Sequence, residues 1–155
     1  MKKYKNIFLI SIIILLLDQI SKYIVSSYIN LNSSIIIIPN FFSLTYTRNY
    51  GAAWSIMWNK TIMLILIALL ALGFVIYMLY KEKNINKYKK LYYGFILGGL
   101  LGNLLDRIIF GYVIDFFDFN IFGYNFPIFN VSDSFIVIGV IMVFIEAFIG
   151  GQKNE

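Results

Sequence analysis

Four apolar segments, Ile7 to about Val25, Ile62 to Tyr80, Leu91 to Phe110 and Val131 to Ile149, dictate what this chain can become. Each has about the 20 residues that a helix rising 1.5 Å per residue needs to cross a hydrocarbon layer of roughly 30 Å. Hydrophobic residues are 60% of the 155, a share that no aqueous surface of a small domain accommodates. The first segment lacks a small-residue cleavage site and runs on into Asp18, Gln19 and Lys22, so it reads as a span and not as a cleaved leader. The expected fold is mainly α and integral to the membrane. A single membrane domain over 1–155 is expected, with four transmembrane helices and a small extracytoplasmic β-hairpin or sheet region.

The charges are placed as a topology signal. Lys2, Lys3 and Lys5 precede the first segment, Lys81, Lys83, Lys87, Lys89 and Lys90 crowd the connection 81–90, and Lys153 lies in the tail. The other two connections, about 27–60 and 111–130, carry only Arg48 and Lys60. By the positive-inside rule both termini are cytoplasmic and the two longer excursions face outward. The net charge of +5 is therefore no nucleic-acid footprint.

The outward excursions have structure of their own. Ile35–Ile38 is a β-branched run ending at Pro39-Asn40, and Ser43–Arg48 alternates at period two, which predicts a hairpin or small sheet. Asp115–Phe129 is dense in Phe and Tyr around Asn120, Gly123 and Pro127, a composition suited to the membrane–water interface.

The chain has no His and no Cys. That excludes a Ser-His-Asp triad, a thiol nucleophile, the usual zinc sites and disulfides. No metal and no cofactor are expected. Any chemistry falls to carboxylates, lysines or hydroxyls.

Ionisable residues inside spans cost about 2.5–3.5 kcal/mol each at mid-bilayer and need a reason. In Asp18-Gln19-Ile20-Ser21-Lys22 the acid and the base are one turn apart and able to pair; an ion pair snorkelling to the interface fits the spacing equally well. Asn49-Tyr50-Gly51-Ala52-Ala53-Trp54 permits close backbone approach to an extended partner, and reads equally as a turn before a helix. Gly98 and Gly102 form a small-xxx-small pair for tight helix packing. Asn103, Asp106 and Arg107 share one helix face, which predicts an internal clasp of Asp106 with Arg107.

Because the connection 111–130 is an outward excursion, Asp115 near its start and Asp133 just past its end return to the same depth on the same side. Each has an ordinary alternative: Asp133 as the third residue of a helix capped by Asn130, and Asp115 as a loop acid. Asp118 rivals Asp115 on topology. Two partly desolvated carboxylates at one site cannot both ionise, so one keeps a proton while the other acts as base on water. A Ser/Lys pair of Ser21 and Lys22 fits poorly, because neighbours diverge around a helix.

These motifs together resemble the lipoprotein signal peptidase family, signal peptidase II, over essentially the whole chain. Asp18–Lys22 is similar to its D-Q-x-[ST]-K, Asn49–Trp54 to N-x-G-A-[AS]-[WF], Gly99–Arg107 to G-x-x-x-N-x-x-D-R, Val113–Phe116 to V-x-D-[FM], and Phe129–Asp133 to F-N-x-A-D. Ser132 stands where that pattern usually has Ala. The resemblance implies Asp115 and Asp133 as the catalytic dyad, in preference to Asp118. It further implies Asn49, Gly51, Asn103, Arg107 and Asn130 as substrate-lining residues, with Asp18, Lys22 and Asp106 in support. The implied activity is removal of signal peptides from diacylglyceryl-modified prolipoproteins at the outer face of a bacterial cytoplasmic membrane. Lipid-modified precursors and membrane lipid are the implied partners, with no nucleic acid and no obligate protein partner. The alternative from another class is a small proton-coupled transporter, which would place its acids nearer the midplane and need two access routes.

Overall fold

The computed structural model describes residues 3–51 and 60–151. It contains helices α1 (Lys5–Tyr28), α2 (Thr61–Lys81), α3 (Lys87–Phe110) and α4 (Val131–Gly151), with strands β1 (Ser34–Ile38), β2 (Phe42–Asn49), β3 (Val113–Ile121) and β4 (Tyr124–Asn125). All four helices are long and apolar enough to cross a membrane, as the four segments predict.

Helix α3 is the hub, packing against α1, α2 and α4. Over half of its spanning stretch, 56%, is buried, against 11% for α4, so α3 faces protein while its neighbours present Leu, Ile and Phe outward. Glycines make the hub possible. A Cβ on Gly98 would lie 2.7 Å from the Ser11 carbonyl oxygen of α1, and one on Gly99 would lie 2.5 Å from the Ser132 carbonyl oxygen of α4. No side chain fits at such separations, so the two crossings close on backbone. Ile7, Leu72, Leu79, Tyr92, Tyr93, Leu97 and Leu104 form an apolar core that runs along α3 from the end of the bundle where α2 and α3 are joined, here the loop end, as far as Leu104.

At the other end, the sheet end, the strands form one antiparallel sheet in the order β1-β2-β3-β4. The predicted hairpin is present, turning at Asn40 in the left-handed region (φ 58°). The aromatic excursion is more than an interfacial loop: nine of its residues form β3, which pairs with β2 from Phe42↔Phe119 to Asn49↔Val113. Helix α3 stops at Gly111, whose φ of +80° suits glycine as a left-handed cap and turns the chain into β3. A second cluster of Val25, Ile29, Tyr46, Ile114 and Phe116 seats the sheet on the last turn of α1. The sheet is thereby packed over the polar end of the bundle.

Candidate active site

Asp115 lies on β3, two residues after that strand begins, and is 3% exposed. Asp133 is in the first turn of α4. Asn130 joins them. Its side-chain Nδ2 donates to Asp115 Oδ1 at 2.7 Å, and its backbone N donates to Asp133 Oδ2 at 3.2 Å. In return Asp133 N donates to Asn130 Oδ1 at 3.0 Å. Asn130 and Asp133 thus form the reciprocal cap expected of a helix start, and that same cap carries the amide that reaches Asp115. The capping and site readings of Asp133 describe one arrangement.

Each carboxylate has a second amide donor. Asn49 Nδ2, at the end of β2, donates to Asp115 Oδ2 at 2.9 Å, and Asn103 Nδ2 on α3 donates to Asp133 Oδ1 at 2.7 Å. Burial, reinforced by the nearby charge of Asp133, pushes the Asp115 carboxyl up to about 7, against the pull of Asn49, Asn130 and Lys22. Asp118, three residues along the strand, projects to the opposite face of β3 and is held by Thr45 Oγ1 at 2.6 Å.

Beneath the two acids lies a buried ion cluster. Lys22 Nζ is 2.7 Å from Asp18 Oδ2 and 2.9 Å from Asp106 Oδ2, with all three side chains no more than 2% exposed. The alternative of a snorkelling Asp18–Lys22 pair is excluded by that burial. Gln19, a residue of the first motif given no role by sequence, donates to Asp106 Oδ1 at 2.9 Å. Asp18 Oδ1 accepts the Ser132 backbone N–H at 2.8 Å, tying α1 to the start of α4. The Ser132 hydroxyl is buried with no hydrogen-bond partner among the described residues.

The expected Asp106–Arg107 clasp is not formed. Consecutive helical residues point about 100° apart. Asp106 therefore turns to Lys22, Gln19 and the Ile114 backbone N–H, while Arg107 reaches the Gly51 carbonyl oxygen at 3.1 Å and the Asn103 carbonyl oxygen at 3.3 Å. Gly51 N donates to Asn49 Oδ1 at 2.9 Å, so the Asn49–Gly51 turn is braced between Asp115 and Arg107. The remainder of that motif, Ala52 to Trp54, lies outside the described residues. All ten residues singled out by sequence, Asp18, Lys22, Asn49, Gly51, Asn103, Asp106, Arg107, Asp115, Asn130 and Asp133, thus belong to one connected polar network. Among the described residues no group of three or more His, Cys, Asp or Glu side chains is placed to hold a metal ion. Two carboxylates held by one asparagine, one through its side-chain amide and the other through its backbone N–H, in a site rich in N–H donors, suit activation of water beside a polarised carbonyl.

Known proteins share this arrangement of elements. The family model for signal peptidase (SPase) II matches residues 10–149. Lipoprotein signal peptidases of Staphylococcus aureus strains JH9, Newman and N315 are each 39% identical over 137 residues, covering 88% of this chain and 84% of theirs. A bacterial membrane enzyme solved by the in meso method at 2.3 Å superposes with a TM-score of 0.88 at 36% identity, over 97% of this chain and 92% of that one. A second, solved at 1.9 Å, gives 0.83 at 37% identity over 92% of each chain.

Proposed function

Because the chain belongs to the signal peptidase II family, we propose that it is an aspartic endopeptidase that removes signal peptides from diacylglyceryl-modified prolipoproteins, cleaving just before the lipidated cysteine. It works as a single multi-pass domain over residues 1–155 in the bacterial cytoplasmic membrane. The termini are cytoplasmic and the dyad lies at the outer face, following the lysine distribution. The partners are the lipid-modified precursor and membrane lipid.

The observation that carries the reading is the bridge from one Asn130 to both Asp115 and Asp133. Two carboxylates bridged by one residue, Asp115 buried and within the field of Asp133, share one proton. The ionised member takes a proton from water as the water oxygen attacks the scissile carbonyl carbon. The protonated member donates to the carbonyl oxygen, giving a tetrahedral diol. Collapse then breaks the C–N bond as a proton passes to the departing amine. Asn49, Gly51, Asn103, Arg107 and Asn130 line the substrate side, supplying N–H donors to the extended peptide and charge near the developing oxyanion. Asp18, Lys22 and Asp106 support them from within the bundle.

The test is cleavage of a diacylglyceryl-modified precursor, read by gel shift, with binding measured in parallel. Asp115→Asn and Asp133→Asn should each abolish cleavage and the double variant should lose no more, since the pair acts as a unit. Asp118→Asn should retain substantial activity. Near wild-type cleavage by either dyad variant would overturn the mechanism, and a dead Asp118→Asn alone would move the first acid.

A further inference from the structure

Lys22 takes no part in the proton transfers above, yet among the described residues it is the one buried lysine or arginine. Its ammonium donates to three acceptors: Asp18 Oδ2, Asp106 Oδ2 and, at 2.9 Å, Asn103 Oδ1. An ammonium has only donors to offer. The carbonyl side of the Asn103 amide must therefore face Lys22, which leaves the NH2 side toward Asp133 Oδ1 at 2.7 Å. Asn130 Nδ2 also donates to the same Asn103 oxygen at 3.1 Å. A flipped Asn103 would set its NH2 against the ammonium and its carbonyl oxygen against a carboxylate. Both contacts repel.

We infer that Lys22 is a positioning residue for the reaction: by donating to Asn103 it locks the amide that presents an N–H to Asp133, and its charge, offset by Asp18 and Asp106, sets the field in which the two aspartates share a proton. The inference rests on the dyad reading above. Among the described residues, the charged groups near the two aspartates are Lys22 and Asp18 on α1 and Asp106 and Arg107 on α3, while Arg48 of β2 is turned away onto Tyr46 and Tyr112. Asp18, Lys22 and Asp106 together carry one net negative charge.

Opposite substitutions separate charge from orientation. The pH profile of kcat, with KM, would be measured on the full chain in detergent with a lipidated precursor, for wild type, Lys22→Met, Asp106→Asn and the double variant. Removing the cation makes both carboxylates harder to ionise, so Lys22→Met should move both limbs to higher pH by about one unit. Asp106→Asn should move them to lower pH. The double variant restores the formal charge, so its profile should return to the wild-type position. Its optimal kcat should stay about tenfold low because Asn103 has lost its lock.

A uniformly lower kcat with unmoved profiles would overturn the inference, as would full recovery of kcat in the double variant. Should Lys22→Met fail to fold, Asp106→Asn keeps the cation and decides alone: an acid shift supports the proposed field and an unmoved profile overturns it. Asp115→Asn in the same assay keeps the two readings apart. If it cleaves, the dyad is wrong; if it is dead while the profiles stay still, only the role of Lys22 falls.

Discussion

The two ends of α3 handle charge in opposite ways. At the loop end, Lys89 pairs with Glu82 where both side chains are about a fifth exposed, at 20% and 22%. Glu146 there accepts from Tyr92 at 2.8 Å and from Asn86 at 3.2 Å. Water reaches this rim, and pairs of this kind contribute about 0–1 kcal/mol. At the sheet end, Asp18, Lys22, Asp106 and Asp115 are each 3% exposed or less. Among the described residues four carboxylates, Asp18, Asp106, Asp115 and Asp133, meet two cations there, Lys22 and Arg107. A balanced, half-wet cluster fastens helices. An enclosed one with too few cations must retain a proton, and a retained proton is what acid–base chemistry uses.

That contrast breaks most severely at Gly102. A Cβ there would lie 2.1 Å from Ser132 Oγ and 2.6 Å from Asp18 Oδ2, so Gly102→Ala should destabilise by on the order of 3 kcal/mol. Ser132→Ala in the same chain should recover part of it, because the nearest obstacle is gone. A thermal melt of the two variants decides. Equal melting points would mean that the Asp18 contact, not Ser132, sets the tolerance.

Arg107→Leu sharpens the difference between fastening and function. Asp106 keeps Lys22, so the variant should accumulate normally, with about 1 kcal/mol of lost hydrogen bonding. Cleavage should fall on the order of 100-fold if the guanidinium stabilises developing charge. Failure to accumulate would return Arg107 to a structural clasp.

Asp115 makes a pH-dependent version of the same comparison. Its folded pKa of about 7 stands above the ordinary 3.8. The folded state therefore binds the proton more tightly, and the stability so contributed is full below the unfolded value and lost as pH rises through 7. Asp115→Asn should melt higher than wild type at pH 8, with the gap closing toward pH 5. A variant that melts lower at pH 8 would mark Asp115 as a stabilising carboxylate. At the loop end the smallest effect is expected. Glu146→Gln keeps an acceptor for Tyr92 and should alter stability by under about 0.5 kcal/mol, leaving cleavage unchanged; a large loss of activity would show that the two ends are coupled.

Much of this was legible from local pattern. A run of some twenty apolar residues spans lipid whatever surrounds it, and Asp18 with Lys22, or Gly98 with Gly102, share a face because helical geometry repeats every few residues. The hairpin of β1 and β2 was readable from Pro39-Asn40 between β-branched and alternating runs. Strand β3 was not, since its row of Phe, Asp and Asn has no clean period of two and its partner β2 lies far back in the chain.

Within the site, sequence alone named the ten residues, through motif resemblance and the cost of placing charge in a membrane. It could not say who pairs with whom. Asp106 and Arg107 are neighbours in the chain and on the same broad face, yet the turn of about 100° between them sends one to Lys22 and the other to Gly51. Asp118 and Asp115 differ likewise by a strand's alternation. Spacing along an element depends on its own backbone, so the sequence by itself determined the four spans and the residues that carry charge. Partnership depends on how elements cross. Only the tertiary structure, closing α1 and α4 onto the glycines of α3 and laying β3 beside β2, decided that Lys22 holds Asn103 and that Asn130 binds both aspartates.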